Sequence, residues 1–527
     1  MLNTKHLVKM KIIRFFTLFL ILTTFACSTV KKSTYGVADG KVEWIFLQTN
    51  DVYEIAPLGG GKTGGLARIA TLRKELLKEN PNTFTVMAGD FLNPSLIGTL
   101  KYEGQGIKGK QMVEVMNNVG FDFVCLGNHE FDLDFVDLQK RIDESNFTWI
   151  SSNAFHQIGE GIEPFSRSKD PDNTGFPEYK ILDISDGSSG EKAKIGLWSV
   201  LLDANKKDYI HYSDVLERSN SLIEEVLKKQ ADVIVGLTHV SIDQDKEIAA
   251  KNPSVSLIMG GHEHNNMTFD IGKTRITKAD ANALTAWVHR CSYDLKTKQV
   301  KINSKLVTID EKILEDAETA TIVKKWTDIA DKSFKSAGFD PDEVVTTLTE
   351  ILDGRSATIR LQQNNLGAVI TKAMVATAKN PLDCAFFNSG SVRIDDLIQG
   401  TVTQADIVRI LPYGGKLYEL DIKGSELRKV LTAGLLNKGR GGYLQWYNIA
   451  YSDATKSFTI NNMPLDENKT YHTMVNDFLL SGNEGNLDFF TETNPFISNI
   501  QTLNPADASD LRNDIRKALI AYLKRKK

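Results

Sequence analysis

Residues 255–264 read VSLIMGGHEH. The apolar run Val255–Met259 stops on paired glycines and delivers His262 and His264, two apart on an extended segment and so aimed to one side. The same event recurs upstream. Val42–Gln48 runs into Asp51, Phe84–Met87 into Gly89-Asp90, Phe121–Leu126 into Gly127-Asn128-His129-Glu130, and Val233–Leu237 into Thr238-His239. Short runs rich in Val, Ile, Leu and Phe, bounded by glycine, read as buried strands of a largely parallel sheet. Ligand crevices of open α/β sheets lie beyond the carboxyl ends of such strands. Five strands therefore carry two Asp, one Asn and up to four His to one sheet edge, and residue chemistry alone makes that a metal site.

Asp and Asn oxygens with His nitrogens suit borderline ions such as Mn, Zn, Co or Fe. Two carboxylates and several neutral ligands leave most of the charge of two dications unneutralised, so such a centre draws an anionic substrate and acidifies a bound water. A metal pair stabilises both ends of an in-line displacement at phosphorus, which makes phosphate-ester hydrolysis the reaction this set is best built for. Gly-Asp by itself carries no information, and a lone strand-end His is more often a hydrogen-bonded core residue. The joint order carries the reading, because polar groups clustered at strand ends are costly to bury without a cation. Gly59-Gly60-Gly61-Lys62-Thr63 imitates the end of a phosphate-cradling P-loop, but that motif's first glycine falls on Ala56 and no strand ends directly before it. Residues 59–65 read instead as a turn into a helix at Leu66.

At 527 residues and ordinary composition the chain has length for two or more domains with full cores. A formal charge of −4 and a pI near 6.2 provide no basic field for a nucleic acid polymer. The N-terminus has its own character: Lys5, Lys9, Lys11 and Arg14 precede the apolar Phe15–Phe25 and then Ala26-Cys27-Ser28. This is a basic region, an apolar stretch short for a membrane span, and a small residue before a cleavage point. Cys27 resembles the lipid-modified cysteine of bacterial lipoproteins, which would anchor the protein to a membrane. Thr24 and Phe25 fit the consensus before such a cysteine poorly and leave ordinary cleavage as the alternative. The reading is an exported protein of the periplasm or cell surface. Cys125, Cys291 and Cys384 are too few and too widely spaced for a disulfide framework or a Cys-based zinc site.

From Val42 to about Val307, apolar runs alternate with helical patterns such as Leu66–Leu77 and Ser219–Lys229, as in βαβ units. Phe155–Gly190, rich in Gly, Ser, Asp and Pro, reads as a long surface excursion. A charged interdomain helix from Ala317 to Lys335 stops at Gly338-Phe339-Asp340-Pro341. A second domain follows, with a strand-like Val344–Leu348, an apolar helix Leu366–Ala378, and Cys384–Phe387 running into Asn388-Ser389-Gly390.

The ordered set Asp51, Gly89-Asp90, Gly127-Asn128-His129-Glu130, His239 and Gly261-His262-Glu263-His264 resembles the calcineurin-like metallophosphoesterases. Asn365-Leu366-Gly367, Asn388–Arg393, Leu411-Pro412-Tyr413-Gly414-Gly415 and Gly441-Gly442-Tyr443-Leu444-Gln445 resemble the C-terminal domain of secreted bacterial and animal 5′-nucleotidases. The resemblance implies an α/β protein with a signal at 1–27, an N-terminal β-sandwich flanked by helices (αββα) at 42–310, a linker helix at 311–341, and an α/β substrate-binding domain at 342–527. It implies two divalent metal ions, with Asp90 bridging, Asp51 and His264 completing one site, and Asn128, His239 and His262 the other. His129 would sit over the leaving group or the transferring phosphoryl, with Asp132 orienting its ring; an imidazolium so held can stabilise charge or donate a proton. The alternative for Asp132 is a plain helix-start carboxylate. Arg360 and Arg393 would hold substrate, Asn388 and Gly390 would shape its pocket, and Tyr443 matches the aromatic that stacks on a nucleobase. The implied substrate is a small-molecule phosphate ester, foremost a 5′-nucleotide.

Two departures stand out. Asp-x-His is the family pattern at the first strand, and here it is Asp51-Val52-Tyr53. A tyrosinate can ligate iron(III), as in the purple acid phosphatases, whose tyrosine comes from a different strand. The plainer expectation is that Tyr53 packs or hydrogen-bonds, since phenol ionises near pH 10. The family's second stacking aromatic would fall within Gly482-Asn483-Glu484-Gly485-Asn486, which has none, so Phe489 or Phe490 would have to substitute. Other phosphorylated metabolites, cyclic nucleotides or nucleotide sugars are therefore alternative substrates, and a non-catalytic nucleotide-binding surface lipoprotein is the alternative from another class.

Overall fold

The computed structural model describes residues 35–525 except 170–173, 205, 395 and 508. The signal-like segment and Cys27 lie outside the described residues. The first half runs β1 (Lys41–Thr49), α1 (Leu66–Glu79), β2 (Thr83–Ala88), α2 (Lys110–Val119), β3 (Phe123–Cys125), α3 (Phe135–Glu144) and β4 (Thr148–Ile150). It continues through β5 (Tyr179–Ser185), β6 (Lys192–Leu201), α4 (Val215–Lys228), β7 (Val233–His239), α5 (Ile242–Lys251) and β8 (Val255–Gly260). The strands β9 (Met267–Ile271), β10 (Thr274–Lys278), β11 (Thr285–Asp294) and β12 (Gln299–Thr308) close this half.

These strands form two six-stranded sheets, ordered β12-β11-β1-β2-β3-β4 and β9-β10-β8-β7-β6-β5. In the first sheet β1–β4 run parallel, and β11 and β12 each add antiparallel to their neighbour; in the second β6, β7, β8 and β10 run parallel and the edge strands β5 and β9 are antiparallel. The five ligand-bearing runs therefore do not share one sheet, as their pattern suggested. Those leading to Asp51, Asp90 and Asn128 belong to the first sheet, and those leading to His239, His262 and His264 to the second. A strand buried on both faces is continuously apolar whichever sheet it joins, so the pattern could not separate them.

Side-chain alternation builds the layers. Trp44 and Phe46 of β1 meet Val233, Val235 and Leu237 of β7 in a core between the sheets, while Ile45 and Leu47 turn outward to α1 and α2. The second sheet buries Ile234 and Ile258 beneath α4 and α5. The result is the αββα sandwich. Phe155–Gly190 is only partly an excursion: Ala154–Ile158 and Gly161–Glu163 pair as a hairpin, and β5 edges the second sheet. The mixed polar composition of β5 follows from its alternating exposure.

The second half contains α6 (Ala317–Ser336), β13 (Val344–Asp353), α7 (Asn365–Val375), β14 (Cys384–Asn388), β15 (Leu397–Thr403), α8 (Gln404–Ile410), β16 (Leu417–Lys423) and α9 (Gly424–Leu436). The strands β17 (Leu444–Tyr447), β18 (Thr470–Asn476) and β19 (Ile497–Ser498) and the helix α10 (Ile515–Arg525) follow. Its five-stranded sheet is ordered β17-β14-β18-β16-β19, and its end carries Asn388 and Asn476 side by side. The Asp316 side chain caps α6 by accepting from Thr319 N, and Gly338, at φ 82°, turns the chain off the helix. This helix lies along α1 and α2, with Trp326 fully buried and its indole N–H donating to Glu114 at 2.9 Å. Trp326→Ala should cost about 3–5 kcal/mol of stability, read from guanidinium unfolding, chiefly by leaving a cavity, since Glu114 keeps Lys325 as a partner.

Candidate metal centre and adjoining cavity

Three turns at the seam between the sheets hold the chain in left-handed backbone at four non-glycine residues: Asp51 (φ 53°), Asp90 (φ 56°), His262 (φ 94°) and His264 (φ 64°). Such positions cost of order 1–3 kcal/mol each and persist where the surroundings over-determine them. The glycines beside them make room. A Cβ on Gly127 would stand 2.1 Å from Asp90 Oδ1, and one on Gly261 would stand 2.3 Å from the Ala88 carbonyl oxygen.

Each carboxylate has one oxygen tied down and the other turned inward. Asp51 Oδ2 accepts from Asn50 Nδ2 at 2.7 Å and from the His262 amide at 2.9 Å, while Asp90 Oδ1 accepts from the His129 amide at 2.7 Å. Asp51 Oδ1 and Asp90 Oδ2 face a common centre with His239, and ligand atoms of these three residues lie within 4.8 Å of one another. His239 Nε2 is 3.0 Å from Asp90 Oδ2, and His264 Nε2 is 3.3 Å from Asp51 Oδ1. His239 Nδ1 donates to the Ala88 carbonyl at 2.8 Å, which leaves Nε2 turned toward Asp90 and free to ligate. A cation, proton or metal, must then occupy the gap to Asp90. Burial disfavours the imidazolium, yet the Asp90 and Asp51 charges push His239 up to about 9. Burial and a charged His239 push His262 down to about 4, leaving it a neutral donor. These residues fit a metal centre, and Asn128 borders the same cavity.

Glu130 was quoted in the sequence only as part of a motif; here it builds the loops. Its carboxylate accepts from the amides of Asp90 at 2.9 Å, Phe91 at 2.8 Å, Leu92 at 3.0 Å and Gly127 at 2.7 Å. Burial, and next the Asp90 charge, push it up to about 7 against those four donors. Glu263 points away from the centre: it accepts from the Ile242 amide and pairs with Lys278, itself fully buried and 3.0 Å from Asp245. This ion cluster braces the turn carrying His262 and His264. Its members come from three separated segments, and no sequence spacing announces them.

His129 Nδ1 is 2.8 Å from Asp132 Oδ2, which also accepts from Asn93. Burial would raise Asp132, but His129, with Arg393 and Arg360 further off, holds it below the ordinary carboxylate value. Arg360 lines a cavity of about 470 Å³ together with Asp90, Asn128, His129, His262 and His264. Asn388, Gly390 and Arg393 line a second cavity of about 760 Å³. Tyr443 does neither: it is 5% exposed, its hydroxyl facing Gln363 Nε2 at 3.5 Å. Buried beside β17, it has no open face for a base. Tyr413 occupies the second cavity instead, 66% exposed with Arg393 5.6 Å over its ring, and Phe478 lines the same space. Leu-Pro-Tyr-Gly-Gly signals an aromatic displayed on a turn, and that cue identifies Tyr413. Phe490 is fully buried against Phe386, and Phe489 packs beside the same core.

Fold and site together define a metal-dependent phosphoric ester hydrolase. Residues 45–266 match the family model for calcineurin-like phosphoesterases, and residues 344–492 that for the 5′-nucleotidase C-terminal domain. The chain thus carries a calcineurin-like phosphoesterase domain followed by a 5′-nucleotidase-type C-terminal domain. It is 24% identical to the snake venom 5′-nucleotidase of Gloydius brevicauda, covering 85% of this chain and 83% of that one. It is also 24% identical to the trifunctional nucleotide phosphoesterase protein YfkN of Bacillus subtilis, covering 86% of this chain but spanning only 33% of that longer protein. Among solved structures, a 5′-nucleotidase precursor from Thermus thermophilus superposes with a TM-score of 0.63 at 21% identity, covering 92% of this chain and 97% of that one. The sulfate thiohydrolase SoxB of Thermus thermophilus superposes at 0.60 and 14% identity, covering 92% and 94%. Fold likeness at that level does not select the substrate.

Gly261→Ala should preserve the circular dichroism spectrum yet weaken metal retention at least about tenfold, read by elemental analysis after gel filtration, because the Cβ displaces supports of both His239 and Asp51.

Proposed function

We propose that the chain is an exported dinuclear phosphohydrolase that converts 5′-nucleotides to nucleosides and phosphate. The observation that carries this is a pair of cavities whose arginines both act on Asp132: one joins the ligand cluster to Arg360, and the other joins Arg393 to exposed aromatic rings. Asp51 and His264, sharing Asp90 with Asn128, His239 and His262, would hold two metal ions. When bound, these supply Lewis-acid polarisation of a phosphoryl oxygen and a water of lowered pKa. The protein's own groups do the rest. Arg360 and Arg393 draw the phosphate into register, and guanidinium geometry suits its oxygens. His129, its Nδ1 held by Asp132, uses Nε2 to donate to charge developing on a phosphoryl or leaving oxygen. The base lies against Tyr413, with Phe478 on the same cavity wall, while Asn388 and Glu484, hydrogen-bonded at 2.9 Å, meet the sugar. Export is supported by the basic and apolar run before Cys27, and mass spectrometry of the mature N-terminus tests both cleavage and lipid.

Phosphate release from AMP, UDP-glucose, cyclic 2′,3′-AMP, glucose-6-phosphate and an aryl phosphate, after reloading with Mn, Zn, Co or Fe, tests the substrate. AMP should lead; aryl phosphate turnover without AMP preference would retain the hydrolase and remove the nucleotide. Tyr413→Ala should raise KM for AMP about ten- to hundredfold, the equivalent of roughly 1–3 kcal/mol of stacking, with a far smaller effect on glucose-6-phosphate. Tyr443→Phe should leave AMP kinetics unchanged.

A further inference from the structure

Tyr53 does more than fill the space of a missing histidine. It is 2% exposed, its amide is held by Asn282 Oδ1 at 3.2 Å, and its ring stands edge-on to His129. Its hydroxyl oxygen lies 2.9 Å from His264 Nε2 and 3.4 Å from both Asp51 Oδ1 and Asp90 Oδ2. A phenol has one proton to donate, and here two carboxylate oxygens and an imidazole nitrogen converge on it.

The separations carry a second message. At bond lengths of roughly 2.0–2.2 Å, two ligands of one cation stand about 3.0 Å apart across a right angle and about 3.4 Å apart across a tetrahedral one. The four atoms Tyr53 Oη, His264 Nε2, Asp51 Oδ1 and Asp90 Oδ2 show contacts of 2.9, 3.3, 3.4 and 3.4 Å. That is the spacing of one coordination sphere.

We infer that Tyr53 Oη is itself a ligand of the cation held by Asp51, Asp90 and His264, bound as phenolate with its proton released to solvent. This rests on reading the cluster as a metal centre. The consequence is selectivity. A phenolate is a hard anionic oxygen donor and adds a third negative charge to those of Asp51 and Asp90, where a histidine would add none. The extra charge favours a trivalent ion, iron(III) foremost, at this position. The neighbouring position, with Asn128, His239 and His262, keeps neutral donors and stays suited to a divalent ion.

The test uses the full chain, stripped and reloaded with iron(III) together with zinc, and read by elemental analysis, visible absorption and resonance Raman. The expected result is a phenolate-to-iron(III) absorption band with tyrosinate vibrations. Tyr53→Phe should abolish the band and weaken iron retention by more than about a hundredfold, beyond the roughly 10–100-fold that loss of an outer partner costs. Tyr53→His restores a ligand without the phenolate; it should keep bound metal and lose the colour, which separates ligand exchange from misfolding. Tyr209→Phe, which removes a hydroxyl that donates to the Leu133 carbonyl rather than to the ligand atoms, should keep the band. An iron-loaded wild-type protein lacking tyrosinate vibrations, or a band that survives Tyr53→Phe, overturns the inference. If that colourless protein still binds divalent ions and releases phosphate, only the role of Tyr53 falls. If no metal binds under any loading, the hydrolase reading falls with it.

Discussion

Two carboxylates held close together, Asp51 and Asp90, at 0% and 1% exposure, are the constraint around which this protein is arranged. Buried like charges at such spacing are unstable unless a cation sits between them and every remaining lone pair is met. The surroundings answer both demands. Amides and Asn50 bind the outer oxygens, the inner oxygens face two imidazoles and a phenol, and Glu130 gathers four amides to keep the adjoining loops in place. The left-handed turns and the contact glycines follow, because a backbone that aims its own amides at a carboxylate one residue past a strand has to turn sharply. The cost is spread over a large sandwich whose sheets are packed on both faces, so local strain does not unfold them.

The second half of the chain works as a counterpart to this centre. Its Arg360 reaches the cavity of the ligand cluster, and Arg393 reaches the aromatic cavity beside it. The turn after β1 is fastened across the divide: Glu54 accepts from the Leu96 amide and lies 3.5 Å from Arg409, and Asn282 donates to Asp396 at 3.0 Å while accepting the Tyr53 amide. The residues that would hold metal and those that would hold an organic group thus meet through Tyr53 and its neighbours. Burial raises Glu54, and Arg409 opposes that rise, so the contact is a paired charge in a tight place rather than a surface bridge.

Much of this was legible. Apolar runs ending on ligand-type residues located the strands and the centre, since a chain does not bury such groups at strand ends without purpose. The helix at Ala317–Ser336 was visible from its charged, helix-forming composition and its stop at Gly338, although its cap and its docking on α1 and α2 were not. The division of ligand strands between two sheets stayed hidden, because double burial erases the alternation that would report a face. Tyr443 and Tyr413 show the opposite difficulty. Both sit among glycines, and only burial distinguishes the tyrosine packed beside β17 from the one displayed over Arg393. Lys278, Asp245 and Glu263 read individually as surface charges; three segments had to converge before they became a buried cluster.

By itself the sequence determined which residue types end each strand, and therefore that anionic oxygen and imidazole donors would be delivered together. That information is local: it depends on hydrophobic runs, glycines and the chemistry of adjacent residues. The tertiary structure alone decided which oxygen of each carboxylate faces inward, which histidine nitrogen ligates, which aromatic ring is open to a ligand, and that the Tyr53 hydroxyl enters the cluster rather than packing beside it. Those outcomes depend on distances between atoms far apart in the chain, set by how two sheets and a second domain close against one another, and no local pattern encodes a separation of that kind.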